Sequence, residues 1–260
     1  MSYYRKLLLL IGILFIICII INLFKYSTTE NFYSIYKLNQ LDKPNMSLLR
    51  IKGFNENLIY EYNNFIDHKT CRNIINYSKF KLADSMLVCA DGNDCLDNNY
   101  RTSKNTFIGD NDSKSVKSIT IKIEKILGID RSHFEQLQVV HYEPGKQYKE
   151  HWDACVSEFI KDCDRNVKQS GQRYATFIIY LNDNYGEGQT CFPRINGNKN
   201  GYCSDKDSLK IVPKIGKGVL FFNLNADGIS AKNESMHAGL PPSYGEKWMC
   251  NKWIRTKKIA

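Results

Sequence analysis

The chain has 260 residues, 43% of them hydrophobic and 24% charged. This length carries one globular domain with a sizeable core, and the apolar content excludes an intrinsically disordered chain. The net charge of +9 admits an acidic or anionic partner, but the lysines are scattered, and no arginine-rich run or zinc-finger spacing is present, which argues against a nucleic-acid binder.

Residues 7–24, LLLLIGILFIICIIINLF, are apolar apart from Asn22. These 18 residues are about the least that spans a bilayer as a helix. Asn22-Leu23-Phe24-Lys25-Tyr26 lacks the small residues of a cleavage site, so an uncleaved signal anchor is expected over a cleaved signal peptide. Arg5 and Lys6 precede the span, which makes residues 1–6 a cytosolic tail and exports the rest of the chain. Residues 25–50 lack clear periodicity, contain Pro44 and read as a stalk, leaving 51–260 for the folded domain.

Within that domain, Asp67 is expected to cap a helix over HKTCRNIINYSKF, with His68 in its first turn. The segment 89–100, CADGNDCLDNNY, is rich in turn formers and reads as a loop before Arg101. Val116, Ile119, Ile123, Ile126 and Leu127 recur at helical spacing and predict a second helix from near Asp112 to Gly128, a glycine suited to the C-terminal cap. From Leu137 onward, short β-rich runs alternate with clusters of Pro, Gly, Asn and Asp. This pattern predicts a mainly β chain with flanking α-helices around a jelly-roll core, a double-stranded β-helix.

His151-Trp152-Asp153 and the distant His237 carry the chemistry. Two imidazoles and one carboxylate hold Fe(II) on one face and leave the opposite positions open. On a strand, His151 and Asp153 project to the same side, so a histidine from another strand can complete the set. His133-Phe134-Glu135 and His141-Tyr142-Glu143 compete as His-x-carboxylate pairs. His141 ends the strand-like run LQVVHY at the turn Glu143-Pro144-Gly145, and His133 follows a helix in a connection, so neither is expected opposite a second ligand.

Reading outward from the triad, LQVVHYEPGKQYKEHWD resembles the first core segment of the prolyl 4-hydroxylases, a branch of the Fe(II)- and 2-oxoglutarate-dependent dioxygenases. GQRYATFIIYLND, GEGQTCFP, LKIVPKIGKGVLFFNLNADG, SMHAGLPPSYGEKW and NKWIR resemble later family segments in family order, and Arg101-Thr102-Ser103 resembles the stretch before the core. The resemblance, to an alpha-subunit-like catalytic domain, covers roughly residues 55–257. It implies His151, Asp153 and His237 as catalytic iron ligands and Lys247 as the partner of the distal carboxylate of 2-oxoglutarate, with Tyr142 and Thr190 helping to hold that co-substrate. A buried lysine is tolerable only when an anion pairs it. The resemblance also implies substrate contacts for Arg101, Tyr148, Arg173 and Trp253 along a peptide groove. The cofactors it implies are Fe(II), 2-oxoglutarate, O2 and L-ascorbate.

The expected function is therefore a membrane-anchored prolyl 4-hydroxylase acting on collagen-like or proline-rich polypeptides, with release of succinate and CO2. The alternatives are a 2-oxoglutarate dioxygenase of lysine or nucleic acid, and a non-catalytic module that binds proline-rich peptides. Lys247 favours the prolyl branch over relatives that use arginine at this place.

Nine cysteines bear on the compartment, one of them, Cys18, within the apolar run. The close spacings 89/95, 155/163 and 191/203 suit local disulfides in an exported domain, although eight cysteines allow about 105 connectivities and eight reduced thiols are the alternative. Acceptor patterns for N-glycosylation begin at Asn45, Asn76, Asn111 and Asn233. Together these place the catalytic domain of a single-pass membrane protein in the endoplasmic reticulum or secretory lumen. The Lys, Ile and Asn bias suits an AT-rich genome, such as that of a large virus, in which case the membrane is a viral one.

Overall fold

The computed structural model describes residues 46–48, 59–89, 93–97, 99–156, 167, 169–195 and 200–259. In chain order the strands are β1 Met46–Leu48, β2 Ile59–Tyr62, β3 Ala83–Asp84, β4 Leu87–Val88, β5 Asp94–Cys95, β6 Lys104–Ile108 and β7 Leu137–Tyr142. They continue as β8 Tyr148–His151, β9 Arg173–Tyr180, β10 Thr190–Phe192, β11 Leu209–Ile211, β12 Gly218–Phe222, β13 His237–Gly239 and β14 Lys247–Arg255. Two antiparallel sheets form the expected jelly roll: an eight-stranded one in the order β1-β2-β12-β9-β14-β7-β6-β3, and a four-stranded one in the order β11-β10-β13-β8.

The large sheet is buried on both faces, which is why its central strands read as near-continuous apolar runs rather than alternating ones. Ile178, Tyr180, Val219, Phe221, Val140 and Met249 point toward the small sheet and pack with Phe192 and Ile211. Phe177, Ile179, Leu220, Val139, Cys250 and Ile254 point the other way, into a second core. Two helices, α1 His68–Ser78 and α2 Lys114–Leu127, supply the rest of that second core. Ile119 and Ile123 on α2 are fully buried, each contributing roughly 1.5–3 kcal/mol by leaving water.

Both helix starts are capped. The Asp67 carboxylate accepts from Thr70 N at 2.6 Å, as expected, and Ser113 caps α2, which starts near Asp112 as the spacing predicts. Asp112 accepts from Gly109 N at 2.8 Å and closes the turn before the helix. Gly128 ends α2 with φ of 66°, a left-handed conformation that costs glycine little.

Other expectations change. Within 89–100, read as a loop, β5 pairs with β4 in a short hairpin closed by the Cys89–Cys95 disulfide. Its Asn- and Asp-rich composition hides strands of only two residues. Met46–Leu48, inside the segment read as a stalk, pairs with β2, so the sheet begins ahead of residue 51. Cys191 and Cys203 also join, Cys155 is disulfide-bonded, and Cys71 and Cys250 are buried free thiols.

The expectation of a single-pass membrane protein with a lumenal catalytic domain is corrected. Among the described residues no helix is long and apolar enough to cross a membrane, the two α-helices having 11 and 14 residues. Residues 7–24, on which that expectation rests, lie outside the described residues. Glycosylation draws no support either, and Asn45 lies outside the described residues.

Candidate metal and co-substrate site

β8 and β13 pair antiparallel, with His151 directly opposite His237. Asp153 does not lie on the strand as the alternation predicts. It falls in a bend just past the end of β8, where its Oδ2 accepts from the Thr176 hydroxyl of β9 at 2.6 Å. The three side chains converge: His237 Nε2 stands 3.6 Å from Asp153 Oδ2, and His151 Nε2 stands 4.0 Å from Asp153 Oδ1. One ligand atom from each lies within 4.8 Å of the others.

Backbone carbonyls set the tautomers. His151 Nδ1 bonds Lys149 O at 2.7 Å and His237 Nδ1 bonds Ser235 O at 2.9 Å. A carbonyl only accepts, so both Nδ1 atoms carry a proton and both Nε2 atoms are left facing Asp153. Burial, reinforced by the neighbouring His237, holds His151 well below the ordinary histidine range, which keeps that ring neutral. Burial opposes the charge on Asp153, but His237, His151, Arg173 and the Thr176 hydroxyl outweigh it and bring its carboxyl down to about 2. Two imidazoles and an ionised carboxylate form a donor set that suits Fe(II).

Deeper in the same interior, Lys247 begins β14 opposite Tyr142. The lysine is fully buried, and its Nζ has no hydrogen-bond partner among the described residues. It stands 4.8 Å from the Tyr142 ring centroid. Thr190, directly across from Gly239 in the sheet, accepts from Tyr180 at 2.6 Å, which leaves its own proton free to donate. Gly239 keeps the space open, since a Cβ there would sit 3.0 Å from the Tyr142 hydroxyl and 3.7 Å from Lys247 Nζ. An unpaired buried ammonium beside hydroxyls and a vacant glycine face fits a carboxylate.

The four residues expected along a peptide groove fall into two clusters. Tyr148 stacks on His151 with centroids 3.5 Å apart, and Arg101 covers the Tyr148 ring at 4.5 Å while donating to Met86 O. Arg173 lies 3.5 Å over the ring of Trp253, which is largely buried. Glu135 fixes that arginine through two bonds, at 2.8 and 2.9 Å, and also accepts from Arg255 at 2.7 Å. Sequence reading weighed Glu135 only as a rival metal carboxylate and did not single out Arg255, Thr176 or Asn223. Thr176 carried one signal, a threonine inside the apolar run ATFII, but nothing in that run marks which face it takes.

Thr176 also accepts from Asn223 Nδ2 at 2.8 Å, so one hydroxyl links Asp153 to the sheet. Thr176→Val keeps the shape and removes both bonds. Metal affinity, measured by anaerobic Fe(II) titration, is expected to fall about 10–100-fold; an unchanged affinity means that Asp153 is held by other contacts.

A family model described as the 2OG-Fe(II) oxygenase superfamily matches residues 137–255, the stretch from β7 to β14 that bears His151, Asp153, His237, Lys247, Tyr142 and Thr190. A protein of Acanthamoeba polyphaga mimivirus provisionally named a prolyl 4-hydroxylase is 31% identical over 238 residues, covering 90% of each chain. Prolyl 4-hydroxylase 5 of Arabidopsis thaliana is 32% identical over 206 residues, covering 76% of this chain and 68% of that one. Among solved structures, the viral collagen prolyl hydroxylase from Paramecium Bursaria Chlorella virus-1, in complex with 2OG, superimposes with a TM-score of 0.55 at 26% identity, covering 76% of this chain and 95% of that one. The chain belongs to the prolyl 4-hydroxylase family of the 2OG-Fe(II) oxygenases. Its cofactors are those of the family, Fe(II) and 2-oxoglutarate, and its reaction is the hydroxylation of proline.

Proposed function

We propose that the chain hydroxylates prolyl C4 in extended proline-rich polypeptides, collagen-like repeats included. In this reading His151, Asp153 and His237 hold Fe(II), while Lys247, Tyr142 and Thr190 hold the far carboxylate of 2-oxoglutarate. The observation that carries it is the Lys247 ammonium, fully buried without a partner in the same interior as the three ligands. When bound, iron and 2-oxoglutarate supply the oxidising power, consuming O2 and releasing succinate and CO2. The protein supplies placement: Tyr180 aims the Thr190 hydroxyl, backbone carbonyls aim the imidazoles, and the two apolar cores keep water from the pocket floor.

The collagen-like part of the proposal draws on the printed name of the chlorella virus relative. The peptide groove draws on Arg101 and Arg173, which lie over the rings of Tyr148 and Trp253 and carry N–H groups able to donate to peptide carbonyls. The test is purified chain with Fe(II), labelled 2-oxoglutarate and either a Pro-Pro-Gly repeat or a polyproline peptide. Peptide-dependent CO2 release with oxygen located on proline by mass spectrometry is the expected result. No release with either peptide, while a lysine-rich peptide or an alkylated oligonucleotide run in parallel takes up the oxygen or also gives none, defeats the proposal. Arg101→Met is expected to raise the peptide KM about tenfold, or 1.4 kcal/mol, with uncoupled 2-oxoglutarate turnover unchanged. Steady-state kinetics at varied peptide concentration separates the two effects.

A further inference from the structure

The two segments that bring the ligands together reach the centre by different routes. Residues 151–153 leave β8 through a bend, and 233–237 enter β13 through a 3-10 turn, Asn233–Ser235. The sheet ladder does not fix their spacing at the level of the ligands: the β13–β8 register shifts between His237 and Gly239, and Asp153 lies beyond the last paired residue.

One side chain touches both segments and has no part in the reaction described above. Arg194 follows β10 in the sequence Phe192-Pro193-Arg194. Its guanidinium carbon stands 5.0 Å from the ring centroid of Trp152, the residue between His151 and Asp153. Its Nη1 donates to Asn233 Oδ1 at 2.7 Å. Asn233 opens the 3-10 turn, which Met236 N closes onto Asn233 O at 3.2 Å. The last residue of that turn, Ser235, provides the carbonyl that orients His237. Arg194 Nε is buried and without a hydrogen-bond partner among the described residues. The guanidinium is thus partly withdrawn from water between the indole of Trp152 and the amide of Asn233.

We propose that Arg194 is a positioning residue for the metal centre, a brace from β10 that sets the distance between the His151–Asp153 bend and the turn feeding His237. This rests on the reading of those three residues as ligands. Loss of the brace loosens the ligand set without touching metal, 2-oxoglutarate or peptide, so its effect falls first on metal affinity.

The experiment uses the whole chain and compares Arg194→Met, Arg194→Lys, Asn233→Ala and His237→Ala. Fe(II) affinity is measured by anaerobic titration, and ligand geometry by the visible absorption of bound Co(II). Arg194→Met is expected to bind Fe(II) at least about tenfold more weakly, with an altered Co(II) spectrum and an unchanged melting temperature for the metal-free protein. At saturating Fe(II) its KM values for 2-oxoglutarate and peptide stay within about twofold of the parent. Arg194→Lys, which keeps charge but not the planar stack, recovers part of the affinity.

Parental Fe(II) affinity in Arg194→Met overturns the inference. So does weaker binding that only tracks a lower melting temperature with the Co(II) spectrum unchanged, or a rise in peptide KM alone. Should Arg194→Met fail to fold, Asn233→Ala decides, because it removes the acceptor and leaves the guanidinium in place, and parental affinity there also overturns the brace. His237→Ala separates the two levels: if it retains Fe(II), the ligand reading itself fails, whereas if it loses Fe(II) while Arg194→Met keeps it, only the brace is rejected.

Discussion

Asp153→Ala is expected to lower peptide-dependent 2-oxoglutarate turnover on the order of a thousandfold or more, beyond the 10–100-fold typical of residues that merely support a ligand. Asp153 is the sole anion of the three converging groups, and its carboxyl, held at about 2, is ionised at every pH at which the protein works. Without it, two imidazoles face a cation with no negative charge to offset the loss of its water shell. The Thr176 hydroxyl also loses its acceptor. The check is succinate formation with and without peptide, alongside an anaerobic Fe(II) titration. Asp153→Ala retaining a tenth of parental turnover at ordinary iron concentrations would falsify the assignment. His141→Ala serves as a control. That imidazole lies 3.1 Å from Glu246 and 4.3 Å from the Trp248 ring, so its loss leaves Fe(II) affinity unchanged.

The sequence makes legible what is local or patterned. His151 and Asp153 are two residues apart, Asp67 caps its helix three residues on, and Gly128 stops the next one where apolar spacing ends. Family order brings in His237 and Lys247. Contacts between strands far apart in the chain are hidden, because no spacing rule relates them: Glu135 meets Arg173 across 38 residues and Arg255 across 120. The support of Asp153 by Thr176 and Asn223 is of the same kind. Burial on both faces removes the alternation that would have marked Thr176 as inward in β9. The bend after β8 is hidden as well, because strand geometry predicts where Asp153 points only while the strand lasts.

Lys247→Met is expected to make the ligand-free protein more stable and nearly useless as an enzyme. Burial brings Lys247 from 10.5 down to about 7, and no carboxylate offsets it. The unfolded chain therefore keeps this proton up to about pH 10.5 while the folded chain gives it up near 7, so the unfolded state binds more protons between these values and parental stability rises with pH across that window. Below pH 7 the full cost of a buried unpaired ammonium is present. Methionine fills a similar volume without charge and is expected to add about 1–4 kcal/mol there, a gain that shrinks as pH climbs toward 10. Urea melts at pH 6 and pH 9 measure both the gain and its slope. The same change removes the cation proposed to pair with the far carboxylate, raising the KM for 2-oxoglutarate about a hundredfold, or close to 3 kcal/mol. In the parent, 2-oxoglutarate binds the ammonium form, so its affinity is flat below pH 7 and falls up to about tenfold per pH unit above it, as binding must then draw a proton from solvent. A methionine variant with parental 2-oxoglutarate KM, or one that melts earlier than the parent at pH 6, would show that the ammonium is spent on holding the fold and not on the co-substrate.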